Sequence, residues 1–296
     1  MLQAGRRRRK AYFTFFRIGL SYFALWLSSK FRGKNYWKRR LPAVHQLNAE
    51  RVRATIHELQ GLFIKFGQLI STLSNVLPPE FRGPLESLQD NVPSDTFQKM
   101  AATIEAEFGQ NPFDLFDSIE EQPIAAASIG QVHRGKIGNK DVVIKIQHPN
   151  IDKLVAVDLY IIEKLVGWGA RILKIKGIEH LYKQVEQMIY EELDYTLEAQ
   201  SMQQIKRNLR KEVRVYIPEV FTEYSSKKVL TIEYCEGVKI SNIEQIEAWG
   251  FQLEFYSKLL VEVYCKQILR DGFYHADPHP GNLLVNQKGQ LVFLDF

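Results

Sequence analysis

The spacing of apolar and polar positions changes several times along the 296 residues. Within residues 48–76, Leu59, Leu62, Phe63, Phe66, Leu69, Ile70 and Leu73 recur at three- and four-residue steps. That pattern predicts a helix, stopped by Pro78-Pro79. A second helix is expected at 94–108, capped by Ser94 or Asp95. The period then falls to two, and residues 123–148 read as a hairpin followed by a strand, around the turn Gly138-Asn139-Lys140-Asp141. Two long helical patterns cover 151–175 and 178–209. Strands are expected in Val213–Phe221 and Lys227–Gly237, and a further helix at 251–271. The stretch Asn282–Phe296 reads as a hairpin turning at Gln287-Lys288-Gly289. No internal repeat or low-complexity linker stands out.

Helices come first, then a β-rich stretch with inserted helices, then the start of a second helical region. The class is therefore α+β. The expected divisions are an arm (1–44), a helical extension (45–118), a β-rich lobe with inserted helices (119–238) and the beginning of a second lobe (239–296).

Charge alters the reading of the first division. Residues 1–40 hold 12 Lys/Arg and no Asp/Glu, so the rest of the chain has 27 basic against 34 acidic residues. The overall +5 thus belongs to the arm, which argues against a basic globular domain on nucleic acid and favours a local electrostatic device. Tyr12–Ser29 is apolar and aromatic, broken by Arg17 and followed by a basic cluster over Lys30–Arg40. A spanning helix needs about 20 apolar residues, and Lys30-Phe31-Arg32 does not suit signal cleavage. An interfacial helix on anionic lipid is the preferred reading. A helix docked on the body or a partner, and a true span or nucleic-acid arm, are the alternatives. Cys235 and Cys265 lack metal or CxxC spacing and read as reduced, buried residues of a protein facing the cytosol.

The densest chemical signal is YHADPHPGNLLV (Tyr274–Val285). It fits three arrangements: a metal site from His275, Asp277 and His279; a structural Pro/Gly turn; or a phosphotransferase catalytic loop. The last needs a carboxylate beside the attacking hydroxyl and, five residues on, an amide oxygen for Mg²⁺, a spacing met by Asp277 and Asn282. A hairpin then leads to Asp295-Phe296, where a kinase carries its principal metal-binding carboxylate. Hard Mg²⁺ prefers such oxygens to imidazoles. Lys145 in VVIKIQ would hold the α/β-phosphates, although a strand Lys alone is usually a solvated edge residue. The stretch containing Glu233 would join the lobes with backbone groups facing adenine. His133, His148 and His180 read as structural.

Four signatures together resemble the UbiB/aarF family of atypical protein-kinase-like enzymes: KFGQ (Lys65–Gln68), AAASIGQV (Ala125–Val132), EELDYTLEA (Glu191–Ala199) and HADPHPGN (His275–Asn282). The resemblance extends over most of the chain from about residue 45. It implies a kinase-like bilobal fold with an N-terminal helical extension, ATP and Mg²⁺ as cofactors, and slow ATPase or small-molecule kinase-like activity. It also implies a role in quinone-lipid biosynthesis and peripheral membrane attachment. Asp277, Lys145 and Glu198 would be catalytic, Glu198 pairing with Lys145, while Asn282 and Asp295 would hold the metal. Ala125, Ala126, Ala127 and Ser128 would replace the glycine-rich phosphate loop, the alanines restricting the backbone so that nucleotide binds in another pose. Lys65 and Gln68 would point into the active-site mouth, faced by Glu192 and Asp194 as a regulatory pair. On residues alone, the Lys65–Gln68 stripe and these acids are ordinary solvated surface.

The expected partners are an anionic membrane surface and the lipid intermediates or enzymes of quinone biosynthesis, with homodimerisation left open and nucleic acid excluded. The expected location is cytoplasmic, held at the membrane by the arm. Rival functions are a small-molecule phosphotransferase of the aminoglycoside or choline kinase type and a nucleotide-binding pseudokinase or scaffold. The ending at Asp295-Phe296 reads as a C-terminal truncation within the second lobe, which puts activity of this chain in question.

Overall fold

Two neighbouring residues with positive φ, Gln60 at 52° and Gly61 at 56°, divide the helical run expected over 48–76. Two helices therefore stand where the periodicity suggested one. The apolar steps continue across the break, which is why the pattern alone does not show it. In the computed structural model, residues 2–72, 78–86, 88, 94–173 and 177–296 are described, apart from the side chains of 2, 3, 34, 68–72, 173, 178, 179 and 181.

In chain order the elements begin with α1 (Leu2–Arg32), α2 (Lys34–Leu59), α3 (Leu62–Thr72), α4 (Pro79–Glu86), α5 (Phe97–Phe108) and α6 (Pro112–Leu115). Strands β1 (Ser118–Ile119), β2 (Ala125–Ala126), β3 (Gly130–Ile137) and β4 (Lys140–Gln147) follow. Then come α7 (Ile151–Leu173), α8 (Ile178–Glu192), α9 (Tyr195–Asn208), β5 (Val215–Tyr216), β6 (Val229–Glu233) and β7 (Val238–Lys239). The remainder is α10 (Ile243–Ala248), α11 (Leu253–Lys266), β8 (Leu283–Val285) and β9 (Leu291–Phe293). The chain divides into two compact units. One holds residues 1–94, 126–130 and 150–188, the other 95–125, 131–149 and 189–296.

In the helical unit, α1 and α2 form a hairpin about Gly33, whose φ of 83° a side chain would strain. Tyr22 OH bonds His45 Nδ1 (2.8 Å), Ser21 bonds Asn48, and Thr14 bonds Thr55 (2.9 Å). These partners step in opposite directions along the two helices, which therefore run antiparallel. The expected boundary at residue 44 falls inside α2. Helix α1 packs on α2 and α7, and α3 on α2, α4 and α7. The carboxylate of Asp158, fully buried on α7, takes the Arg7 guanidinium, which also donates to the carbonyl of Leu59.

The mixed unit carries two sheets. In the first, of order β1-β3-β4-β6, the β3–β4 turn is only Gly138-Asn139, shorter than the four residues expected. Val142, Ile144 and Ile146 on β4 alternate into a core with Met100 and Ile104 of α5 and Phe116. The cap of α5 is Thr96, which makes no side-chain bond, rather than Ser94 or Asp95 as expected; Asp95 instead meets His148 Nδ1 at 3.0 Å. The second sheet, of order β5-β9-β8-β7, packs Leu283, Val285, Leu291 and Phe293 against Tyr256, Leu259 and Val263 of α11. The cysteine expectation is half corrected, for Cys265 is exposed and Cys235 half-buried, because α11 turns residue 265 away from that core.

Candidate active site

Strand β4 places Lys145 by its period of two. Its neighbours Ile144 and Ile146 face the core, so Lys145 stands on the other face, in register with Leu230 of β6. The long helix expected over 178–209 is broken at Leu193-Asp194. Asp194 caps α9 through Thr196 N (3.1 Å), satisfying an N–H that a continuing helix would have bonded. Two bonds tie this start to the sheet: Gln147 Nε2 to Leu193 O (2.9 Å) and Tyr195 N to Lys227 O (3.0 Å). One turn on, Glu198 reaches Lys145 Nζ with both carboxylate oxygens, at 3.0 and 2.9 Å.

Asp295 completes the group, with Oδ1 2.8 Å from the same Nζ. It comes from the β8–β9 hairpin, where Leu294 N donates to Asn282 O (2.8 Å). Its φ of 57° is in the left-handed region, so the backbone turns sharply there. His275, almost fully buried, holds this end in place. It meets Leu294 O through Nε2 (3.1 Å) and Tyr264 OH through Nδ1 (3.3 Å), and stacks edge-on against Phe296 at 4.8 Å.

Burial by itself would lower the Lys145 pKa, but the Glu198 and Asp295 charges outweigh it and the net shift is upward. The ammonium therefore stays charged at any physiological pH. Burial raises the Glu198 pKa, with Lys145 acting against it. The Tyr195 ring lies 5.1 Å from Nζ and adds a cation–π contact.

Asp277 and Asn282 form a second pair, Asn282 Nδ2 donating to Asp277 Oδ2 at 3.0 Å. That bond uses the amide N–H, so the amide oxygen is the acceptor Asn282 turns elsewhere. The His metal arrangement does not form. Both His275 nitrogens are engaged, and His279 Nδ1 accepts from Gly281 N (3.0 Å). Among the described residues, no three His, Cys, Asp or Glu side chains gather into a metal-binding group. Hard cations prefer oxygen donors, and the Asp295 carboxylate, about half exposed, and the Asn282 amide oxygen are groups of that kind.

Glu233 ends β6, where its carboxylate accepts from Tyr216 OH (2.8 and 2.7 Å) and Glu219 N (3.1 Å). Its side chain thus braces the segment before it. Ala125 belongs to the mixed unit, whereas Ala126, Ala127, Ser128 and Lys65, on α3, belong to the helical one. Ala127 N closes a turn on Gly130 O at 2.8 Å. The Gln68 side chain lies outside the described residues. Glu192 is the half-buried last residue of α8. Sequence reasoning missed Tyr195, Gln147 and the positioning role of His275. The signal available was their place in the motifs: Gln147 ends VVIKIQ, Tyr195 lies inside EELDYTLEA and His275 opens HADPHPGN.

The model of the ABC1 atypical kinase-like domain matches residues 87–296, and the chain belongs to this family. It is 39% identical over 251 residues to the chloroplast protein ACTIVITY OF BC1 COMPLEX KINASE 7 of Arabidopsis thaliana, covering 84% of this chain and 36% of that one. It is 35% identical over 269 residues to the "Probable protein kinase UbiB" of Aeromonas hydrophila, covering 89% and 47%. The chain thus spans less than half the length of these relatives. Among solved structures, the Rv3197–erythromycin complex from Mycobacterium tuberculosis matches with a TM-score of 0.61 and 28% identity, over 81% of this chain and 61% of that one. The fold is accordingly α+β and kinase-like.

Proposed function

We propose that the protein binds ATP with Mg²⁺ and turns it over as an atypical kinase or ATPase of the UbiB type, in support of isoprenoid-quinone biosynthesis at a membrane surface. The observation that carries this reading is the meeting of Lys145 with Glu198 and Asp295, three residues drawn from a strand, a helix start and a hairpin end. Lys145 offers a fixed positive charge to the α/β-phosphates, and Glu198 keeps that charge in place. Asp277 accepts the proton of, or orients, an attacking water or hydroxyl. Asn282 and Asp295 would hold Mg²⁺, which when bound neutralises phosphate charge.

The membrane part rests on α1. Phe13, Phe16, Leu20, Phe23 and Leu27 recur at three- and four-residue steps and are all exposed, on a helix also carrying Arg8, Arg9, Arg17 and Lys30. Among the described residues, no helix is long and apolar enough to cross a membrane. An aromatic stripe lying in the lipid interface, with the basic residues on anionic headgroups, suits both facts.

The test is ATP turnover by the purified protein with and without anionic vesicles. Mg²⁺-dependent turnover, raised by vesicles and lost in Lys145→Met and Asp277→Asn, is expected. Turnover unchanged by both substitutions would sink the site assignment. Nucleotide binding without turnover in any form would favour a pseudokinase, and indifference to vesicles would remove the membrane role.

A further inference from the structure

The helical unit holds an apolar cavity of about 220 Å³. Phe15 and Ile18 of α1, Ile56 of α2, Phe63 of α3, Phe81 of α4 and Ile162 of α7 contribute to its wall. Protein interiors hold few voids larger than a water molecule, and an unfilled cavity lowers stability in proportion to its volume. This one is a half-open cleft between five helices rather than a sealed void, so its apolar wall meets water unless a ligand covers it.

The wall dictates the ligand. Its polar contribution is the Thr14–Thr55 hydroxyl pair at 2.9 Å. The pair uses one O–H on itself and can offer a ligand at most one further donor plus its lone pairs. No lining residue carries a charge, so an ionised ligand would lose its hydration without compensation. An apolar cavity of about 150 Å³ stays dry and takes benzene, so about 220 Å³ suits one ring with a short branched substituent, or a branched chain of about ten carbons.

We infer that this cavity is a binding site for an uncharged, largely hydrocarbon group carrying at most one hydroxyl, either a free small molecule or the tail of a lipid. The inference concerns the helical unit alone and stands whether or not the nucleotide reading does. Helix α1 supplies one wall and is secured near its start by Arg7 on Asp158. Phe15 of that wall packs on Trp168 at 5.6 Å, so occupancy should register in the indole.

The probe is p-cymene, titrated into the purified protein while tryptophan fluorescence and melting temperature are followed. Saturable one-site binding with a rise in melting temperature is expected. Val52→Phe and Ala11→Leu, both on the lining, should each weaken binding at least tenfold. Two filling variants guard against one failing to fold. Trp168→Phe should abolish the fluorescence change and keep the thermal shift. A non-saturating response, or equal affinity in wild type and a folded filling variant, would overturn the site. Pre-incubation with phosphatidylcholine vesicles, which are pelleted and removed before the titration so that they cannot absorb the probe, distinguishes the sources: suppression of p-cymene binding identifies a lipid tail as occupant, and undiminished binding a free molecule. Both results uphold the cavity as a ligand site.

Discussion

Replacing Arg7 with Met should strongly destabilise the helical unit. The Arg7 and Asp158 side chains are 13% and 0% exposed, Nε lies 2.7 Å from Oδ1, and the guanidinium also meets Oδ2 and Leu59 O. Removing one member of such a pair costs about 3–5 kcal/mol, because the remaining charge is buried and uncompensated, against a total stability of about 5–15 kcal/mol. Burial already pushes the Asp158 pKa up to about 6, with Arg7 opposing it. Without Arg7 it must rise further, so the carboxyl takes a proton near neutrality and holds the cost toward the lower end of that range.

The pH dependence follows from the raised folded-state pKa. Stability linked to Asp158 is fully present below its ordinary value of 3.8 and is lost as pH rises through about 6. Going from pH 7 to pH 5 therefore returns about 1.4 kcal/mol to the wild type and about 2.7 kcal/mol to a variant protonated throughout. The cost of Arg7→Met should then shrink by about 1.4 kcal/mol between pH 7 and pH 5. Urea unfolding at both values, read by circular dichroism, measures this, and Asp158→Asn added to Arg7→Met should recover most of the loss. A cost below about 1 kcal/mol at pH 7, or one that Asp158→Asn does not relieve, would refute the reasoning.

Three further outcomes are expected. Asp194→Ala should lower stability by about 1 kcal/mol in urea through loss of the α9 cap, while Asp194→Asn should not. Gly237→Ala would put a Cβ 2.8 Å from Val285 O and 3.2 Å from Leu284 Cβ, and should cost about 1–3 kcal/mol of thermal stability, because backbone must move to admit it. Leu20→Ser with Phe23→Ser, both exposed on α1, should reduce sedimentation with anionic vesicles and leave the unfolding midpoint nearly unchanged. Unaltered sedimentation would remove α1 from the membrane account.

Lys145 was legible because Ile144-Lys145-Ile146-Gln147 alternates as a strand does, and because the Asp277–Asn282 loop downstream gave a strand lysine a role. The Asp277–Asn282 spacing was legible for a similar reason, since five residues of Pro/Gly-rich loop leave little conformational freedom. Glu198 was not readable from spacing, and only the family resemblance selected it from a run of acids. What places it is the break at Leu193-Asp194 and the Gln147 bond to Leu193, neither of which has a periodic signature. His275 stood in sequence as a metal candidate beside Asp277, yet burial and two hydrogen bonds make it a brace for Leu294. The arm shows the same limit. Its charge and aromatic stripe were plain, but the contact of Arg7 with a carboxylate 151 residues away was not, because long-range pairs leave no local pattern.

The most direct test of the nucleotide site is the Mg²⁺ dependence of ATP affinity, measured by titration calorimetry in wild type, Asp295→Asn and Lys145→Met. Wild type should bind ATP more tightly as Mg²⁺ is raised, Asp295→Asn should lose that dependence, and Lys145→Met should bind weakly throughout. Tight binding in all three with the same Mg²⁺ dependence would contradict the assignment of Lys145 and Asp295 to the nucleotide.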